Sequence, residues 1–278
     1  MRPSAGEEAW DPGFLSRSPM LAPLGAAGLP LAGQPRWPGH EALNALPPGP
    51  AGWPRNARGL PIRFVAPPGP GEAPPPYEAQ IAASGRVPTR PENWHDLFNA
   101  LVWVSFPRSK AALNARHCAA RAARAEAPRR SPVEDALTGF DESGVGVACG
   151  DAQLGALLRG FRWRELFWEN RGRVRSRMSF FLFGHGLCEA ALSPFIGLTG
   201  KGVIVPVAEG FFGAAPAARL DALDVALAAA IGDPARFLAP RELAPVPLLG
   251  VPGWWPANES EAFYADTGYF RPGRRSAA

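Results

Sequence analysis

The chain has 278 residues, 46% of them hydrophobic and 19% charged, with a formal net charge of +4. That length supports one large domain or two small ones. Its three cysteines, Cys118, Cys149 and Cys188, show no CxxC spacing, which argues against a disulfide framework and a four-cysteine zinc site.

The cations are nearly all arginine, with lysine only at Lys110 and Lys201, and proline and glycine are abundant. A GC-rich genome produces such a bias, so the arginine excess alone implies no polyanion partner. Residues 1–35 read as a loosely ordered tail. The apolar stretch MLAPLGAAGLPLAG is short and broken by Pro and Gly, and no basic region precedes an apolar core. A soluble, cytoplasmic protein with no membrane partner is expected.

Residues 36–90 are irregular and Pro-rich. WPGHEALNAL can hold a short helix, GLPIRFV a strand, and YEAQIAASG a short amphipathic turn or strand; APPGPGEAPPP reads as a polyproline-like linker. Trp37, Leu43, Ile62, Phe64 and Tyr77 need burial, so this segment is expected to wrap a later core. Asn93 is a plausible cap for a helix over Trp94–Phe106. Pro107 can open a second helix running to about residue 126. DALTGFDESGVGVAC reads as a β-hairpin turning at Ser143–Gly144. DAQLGALLRGF follows as a helix capped by Asp151, and RWRELFWENR as another. RMSFFLFGHGLCEAAL reads as a buried strand entering a helix through Gly184. KGVIVPVA is a strand and RLDALDVALAAAIGD an amphipathic helix. The expected fold class is α+β. It is a helix-rich single domain over 36–255 with a small mixed or antiparallel sheet, a wrapping segment at 36–90 and an extended tail at 256–278.

Candidate site residues fall in three words. In NWHDLFNALVWVSFPRSKAALNARH, His95 and Asn99 are four apart and share a helix face. On the next helix Lys110, Asn114, His117 and Arg121 follow three-to-four spacing. In FGHGLCEAAL, His185 and Glu189 stand four apart where a strand passes into a helix, a spacing that suits a metal or a carboxylate-oriented general base. In EDALTGFDESG, Glu134, Asp135, Asp141 and Glu142 crowd nine residues. Strand geometry would part Asp141 from Glu142, so they read as solvated turn acids, with at most one reaching any site. Dinucleotide, P-loop and nucleophile-elbow glycine motifs are absent, and GLTGKG has the wrong spacing for a phosphate loop. Arginines also cluster at 108–130 and at 162–177, the latter among Phe161, Trp163, Phe167 and Trp168, a mixture able to grip phosphate and stack bases.

The words VPTRPENWHDLFNALVWVSFPRSKAALNARH, DALTGFDESGV and FGHGLCEAAL together resemble an uncharacterised bacterial family classed as a domain of unknown function. The resemblance spans residues 35–255 and implies a bacterial, cytoplasmic protein. It supplies no catalytic roles. It does imply that the three words share one fold, which would make His95, His117 and His185 neighbours.

Three readings stay open. In the first, a metal-dependent or acid–base hydrolase uses His95, His117, His185 and Glu189 as catalytic and divalent-metal residues. Asn99, Arg108, Lys110 and Asn114 would then bind an anionic substrate such as a phosphoester. In the second, the arginine segments make a nucleic-acid or ribonucleoprotein-associated binding module. In the third, the chain is a non-catalytic scaffold with a hydrogen-bonded polar core.

Overall fold

A computed structural model describes residues 9–69, 71, 75–124 and 129–273. In chain order they form α1 (Gly25–Gly28), α2 (His40–Asn44), β1 (Arg63–Val65), α3 (Tyr77–Ser84), β2 (Arg86–Pro88), α4 (Trp94–Ser105) and α5 (Pro107–Ala123). Then come α6 (Pro132–Ser143), β3 (Gly144–Cys149), α7 (Ala152–Arg159), α8 (Arg171–Arg177), β4 (Met178–Leu182), α9 (His185–Ala190), β5 (Thr199–Pro206), α10 (Pro216–Gly232) and β6 (Ala244–Pro247). The fold is α+β, as expected. Residues 125–126 at the expected end of α5, parts of the proline linker (70 and 72–74) and the chain ends lie outside the described residues.

The larger sheet has strand order β4-β3-β5-β6. Its centre, β3, lies antiparallel to β4 and parallel to β5, and β6 closes the far edge antiparallel to β5. Every residue of β3 is buried, which fits a strand covered on both faces. On one face Gly146 lies under Leu223 and Leu227 of α10. A separate parallel pair joins β1 to β2.

The helix starts follow their capping chemistry. Asn93 caps α4 by accepting from the Asp96 N–H. Asp151 caps α7. α5 opens at Pro107, and its free N–H groups are met from another helix. The buried Asp224 of α10 accepts from Ser109 N at 2.9 Å and from Arg108 N at 3.0 Å.

Four expectations need correction. The stretch read as a β-hairpin is helix α6 running straight into β3. Ser131 and Glu134 cap each other's backbone in a capping box with Pro132 in the first turn, a start signal that outweighs the local alternation. YEAQIAAS is helix α3, ended by Gly85 in the left-handed region at φ +71°. Within the expected loose tail, Phe14, Met20 and Leu21 are fully buried, and Trp10 stacks on Trp94 of α4. Prolines prevent a long helix there, but short turns still bury the apolar side chains. At the other end, Tyr264, Tyr269 and Phe270 are buried, and the Tyr269 hydroxyl donates to Leu198 O at 2.7 Å. That end is pinned beside β5 by turns. No helix among the described residues is long and apolar enough to cross a membrane.

Candidate metal centre

A cavity of about 570 Å3 opens where α4, α5, α6 and α9 meet. His95 sits in the first turn of α4. Its Nε2 lies 3.2 Å from Glu142 Oε2, at the end of α6. The other oxygen of Glu142 lies 3.4 Å from Nε2 of His185, the first residue of α9. One carboxylate thus spans two imidazoles, one oxygen to each. The rings meet edge to face, with centroids 4.4 Å apart. The donor atoms of His95, Glu142 and His185 all lie within 4.8 Å of one another.

Behind each imidazole stands a second carboxylate, itself held by a cation. His95 Nδ1 lies 3.2 Å from Asp96 Oδ1, and Asp96 is paired with Arg90 at 2.7 Å. His185 Nδ1 faces Asp141 Oδ2 at 3.9 Å, an ionic contact too long for a hydrogen bond, and is buried with no hydrogen-bond partner. Asp141 receives Lys110 Nζ at 2.6 Å. Lys110, only 4% exposed, also donates to Asn99 Oδ1 at 2.9 Å, and Asn99 donates on to the Tyr77 hydroxyl.

These neighbours set the charges. Hydrogen bonds to Asp96 and then to Glu142 raise His95 to about 9. The same contact from His185, followed by that from His95, holds Glu142 well below the usual carboxylate range. Burial would raise Asp96 and Asp141. The Arg90 and His95 hydrogen bonds reverse this for Asp96, and the Lys110 charge reverses it for Asp141, so both stay ionised.

The glycines of the Gly-His-Gly word are demanded by close approach. A Cβ on Gly184 would meet the backbone nitrogens of Gly144 and Ser143 at 2.3 and 2.5 Å. A Cβ on Gly186 would stand 2.8 Å from Glu142 Oε2. Backbone contact therefore requires glycine at 184, whereas a side chain at 186 would have to displace the Glu142 carboxylate.

Of the residues expected in the site, His95, Asn99, His117 and His185 line the cavity. His117 stands on its wall, outside the three-donor group. Glu189 does not line it. Helical side chains lean toward the N-terminus, so His185 at the first position of α9 reaches back to Glu142 rather than along the helix. Arg108 binds Asp221 at 2.7 Å and the buried Asp224, away from the cavity. Lys110 is buried against Asp141, and Asn114 donates to Glu78. The acids dismissed as turn residues, Asp141 and Glu142, are central. A strand over this stretch would part them, whereas helix α6 brings both toward the His185 ring. The Ser131-Pro-Val-Glu134 start was the available signal.

The arginines of residues 162–177 are engaged. Arg162 pairs with Glu165, Arg164 with Glu261, Arg171 and Arg175 with Glu259, Arg173 with Asp151 and Arg177 with Glu209. Phe167 is fully buried and Trp163 nearly so. These arginines thus meet carboxylates within the fold, while Phe161 and Trp168 remain partly exposed.

No curated protein and no solved structure matches the chain. A family profile does match, across residues 62–274, and so covers the centre just described together with the whole larger sheet. The chain belongs to DUF3025, a family of proteins of unknown function.

Proposed function

We propose that the protein is a metal-dependent hydrolase whose centre is His95, Glu142 and His185. The observation that carries this reading is the paired arrangement around Glu142: two imidazole Nε2 atoms converge on one carboxylate, and each far nitrogen faces its own partly buried acid. Metal-binding histidines commonly have such a carboxylate behind them, which fixes the tautomer and the ring. One donor atom from each of the three residues can be chosen so that all lie within 4.8 Å of one another, close enough for a single ion to draw them in. Two histidines and one carboxylate leave a position open to water, as in catalytic rather than structural zinc sites. A divalent ion held there would supply hydroxide at neutral pH by lowering the pKa of bound water.

The remaining residues have roles that follow from position. Asp96 orients the His95 imidazole by a hydrogen bond, and Asp141 faces the His185 ring as a charge at 3.9 Å. Lys110 keeps Asp141 ionised, and Arg90 does the same for Asp96. Asn99, tied to Lys110 and Tyr77, gives the cavity a fixed polar edge. His117, on the wall, supplies a group able to return a proton to a leaving oxygen.

Elemental analysis of untagged protein, beside Glu142→Gln and a His95→Ala/His185→Ala double variant, tests the reading. The expected result is near-stoichiometric zinc in the wild type, lost in both variants while their circular dichroism is unchanged, together with zinc-restored hydrolysis of an activated ester. Absence of bound metal, with variants that melt much lower, would make the cluster structural. Stoichiometric iron would move the reading to oxidation chemistry, since two histidines and a carboxylate also suit iron(II).

A further inference from the structure

Lys110, Asn114, His117, Arg121 and Arg124 repeat at three-to-four spacing and therefore share one face of α5. The environment changes along this face. Lys110 is buried and ion-paired at the histidine end. Asn114 is tied to Glu78. His117, Arg121 and Arg124 line the cavity, and Arg130 joins them from the segment before α6. Arg124 pairs with Glu134 at 3.2 Å. Arg121 and Arg130 are exposed, and no ion pair joins either to a carboxylate among the described residues.

Four of the five acids that line the cavity face a cation or an imidazole: Asp96 has Arg90, Glu134 has Arg124, Asp141 has Lys110 and Glu142 has the two histidines. Glu78 accepts from the neutral Asn114 and keeps its charge. Two arginines, Arg121 and Arg130, stand against that one carboxylate, so the described residues leave a positive surplus on the side of Arg121 and Arg130. Eleven residues separate Lys110 from Arg121, a rise of about 16 Å along the helix. The surplus thus lies some three turns from the residue that supports His185. The volume, about 570 Å3, suits a small molecule.

We propose that the cavity takes a small substrate bearing a phosphate group at the end remote from the histidines, and that Arg121 and Arg130 hold this phosphate. Two guanidinium forks match a dianion with several acceptor oxygens better than a single carboxylate. The phosphate is a handle, and the bond to be cut lies at the His95–Glu142–His185 end. Only this assignment of ends rests on the hydrolase reading.

The test is calorimetric titration of inorganic phosphate into the metal-free, full-length protein at fixed ionic strength. It compares the wild type with R121Q/R130Q and with R162Q/R175Q, a charge-matched control at ion-paired surface positions. Saturable one-to-one binding is expected in the wild type and the control, weakened at least tenfold in R121Q/R130Q, where two charge-assisted contacts are lost. No saturable binding in the wild type, a loss of less than tenfold in R121Q/R130Q, or an equal loss in the control overturns the proposal. Because metal is absent, failure here leaves the metal reading standing, and failure to bind metal leaves the phosphate subsite standing.

Discussion

Replacing Lys110 by methionine removes the cation that faces Asp141 while keeping most of the side chain's bulk. The ammonium is 2.6 Å from Asp141, 2.9 Å from Asn99 Oδ1 and 5.3 Å above the Trp103 ring. Breaking a buried pair from one side costs about 3–5 kcal/mol, because the other charge is left without compensation. The Asp141 side chain keeps 14% exposure, which places Lys110→Met toward the lower end, at about 3 kcal/mol. In Lys110→Met/Asp141→Leu both charges are gone, and the main residual loss is the hydrogen bond to Asn99, about 1 kcal/mol. The double variant is thus expected to be more stable than the single one by about 2 kcal/mol. Urea unfolding of metal-free protein at pH 7 measures this from the midpoints, provided the slopes agree. The double variant should also bind zinc about 10- to 100-fold more weakly, since His185 loses the carboxylate behind it. A single variant costing under about 1 kcal/mol, or a double variant no better than the single, would refute the claim that Lys110 exists to hold Asp141 ionised.

Three further outcomes follow from the same geometry. His95 is raised to about 9 without metal, above the ordinary value near 6.5. Its contribution to metal-free stability is therefore complete below about pH 6.5 and disappears as pH rises through 9. Zinc must displace that proton, so affinity should climb over the same range with proton release visible in buffers of different ionisation enthalpy, and a flat profile would contradict this. Gly186→Ala should raise helix propensity by up to about 1 kcal/mol, yet push the Glu142 carboxylate aside and weaken zinc at least tenfold; unchanged zinc affinity would show that Glu142 can move freely. Asp224→Ala strips two N–H partners and the Arg108 contact from the start of α5. It should cost about 2–4 kcal/mol in chemical denaturation with zinc affinity unaltered, and a loss of zinc affinity would link that helix start to the site.

Much of the fold was legible because its signals are local. Asn93, Pro107 and Asp151 each announce a helix start, and MSFFLF and GVIVPV announce strands by unbroken apolar runs. The histidines of the centre were legible too, as polar residues at helical spacing or beside glycine. Glu142 was not. Its helix ends where an alternating strand begins, and the two periods overlap at Ser143–Gly144. Reading strand across that boundary put Asp141 and Glu142 on opposite faces, whereas helix geometry lets both approach His185. The i, i+4 rule that favoured Glu189 fails at a helix's first residue, where the side chain leans off the end. The fates of Arg108 and Asn114 lay beyond local reasoning, because their partners, Asp221, Asp224 and Glu78, are distant in sequence. The terminal segments misled for another reason. Proline and glycine forbid long elements there, but they do not forbid burial, and Phe14, Met20, Tyr264 and Tyr269 are buried through short turns.

The most direct test of the centre is zinc K-edge X-ray absorption on the zinc-loaded protein and on His185→Ala. The account predicts two imidazole nitrogens at about 2.0–2.1 Å with oxygen completing the shell in the wild type, and one imidazole after the substitution. Zinc bound without imidazole scattering, or an imidazole count unchanged in His185→Ala, would contradict it.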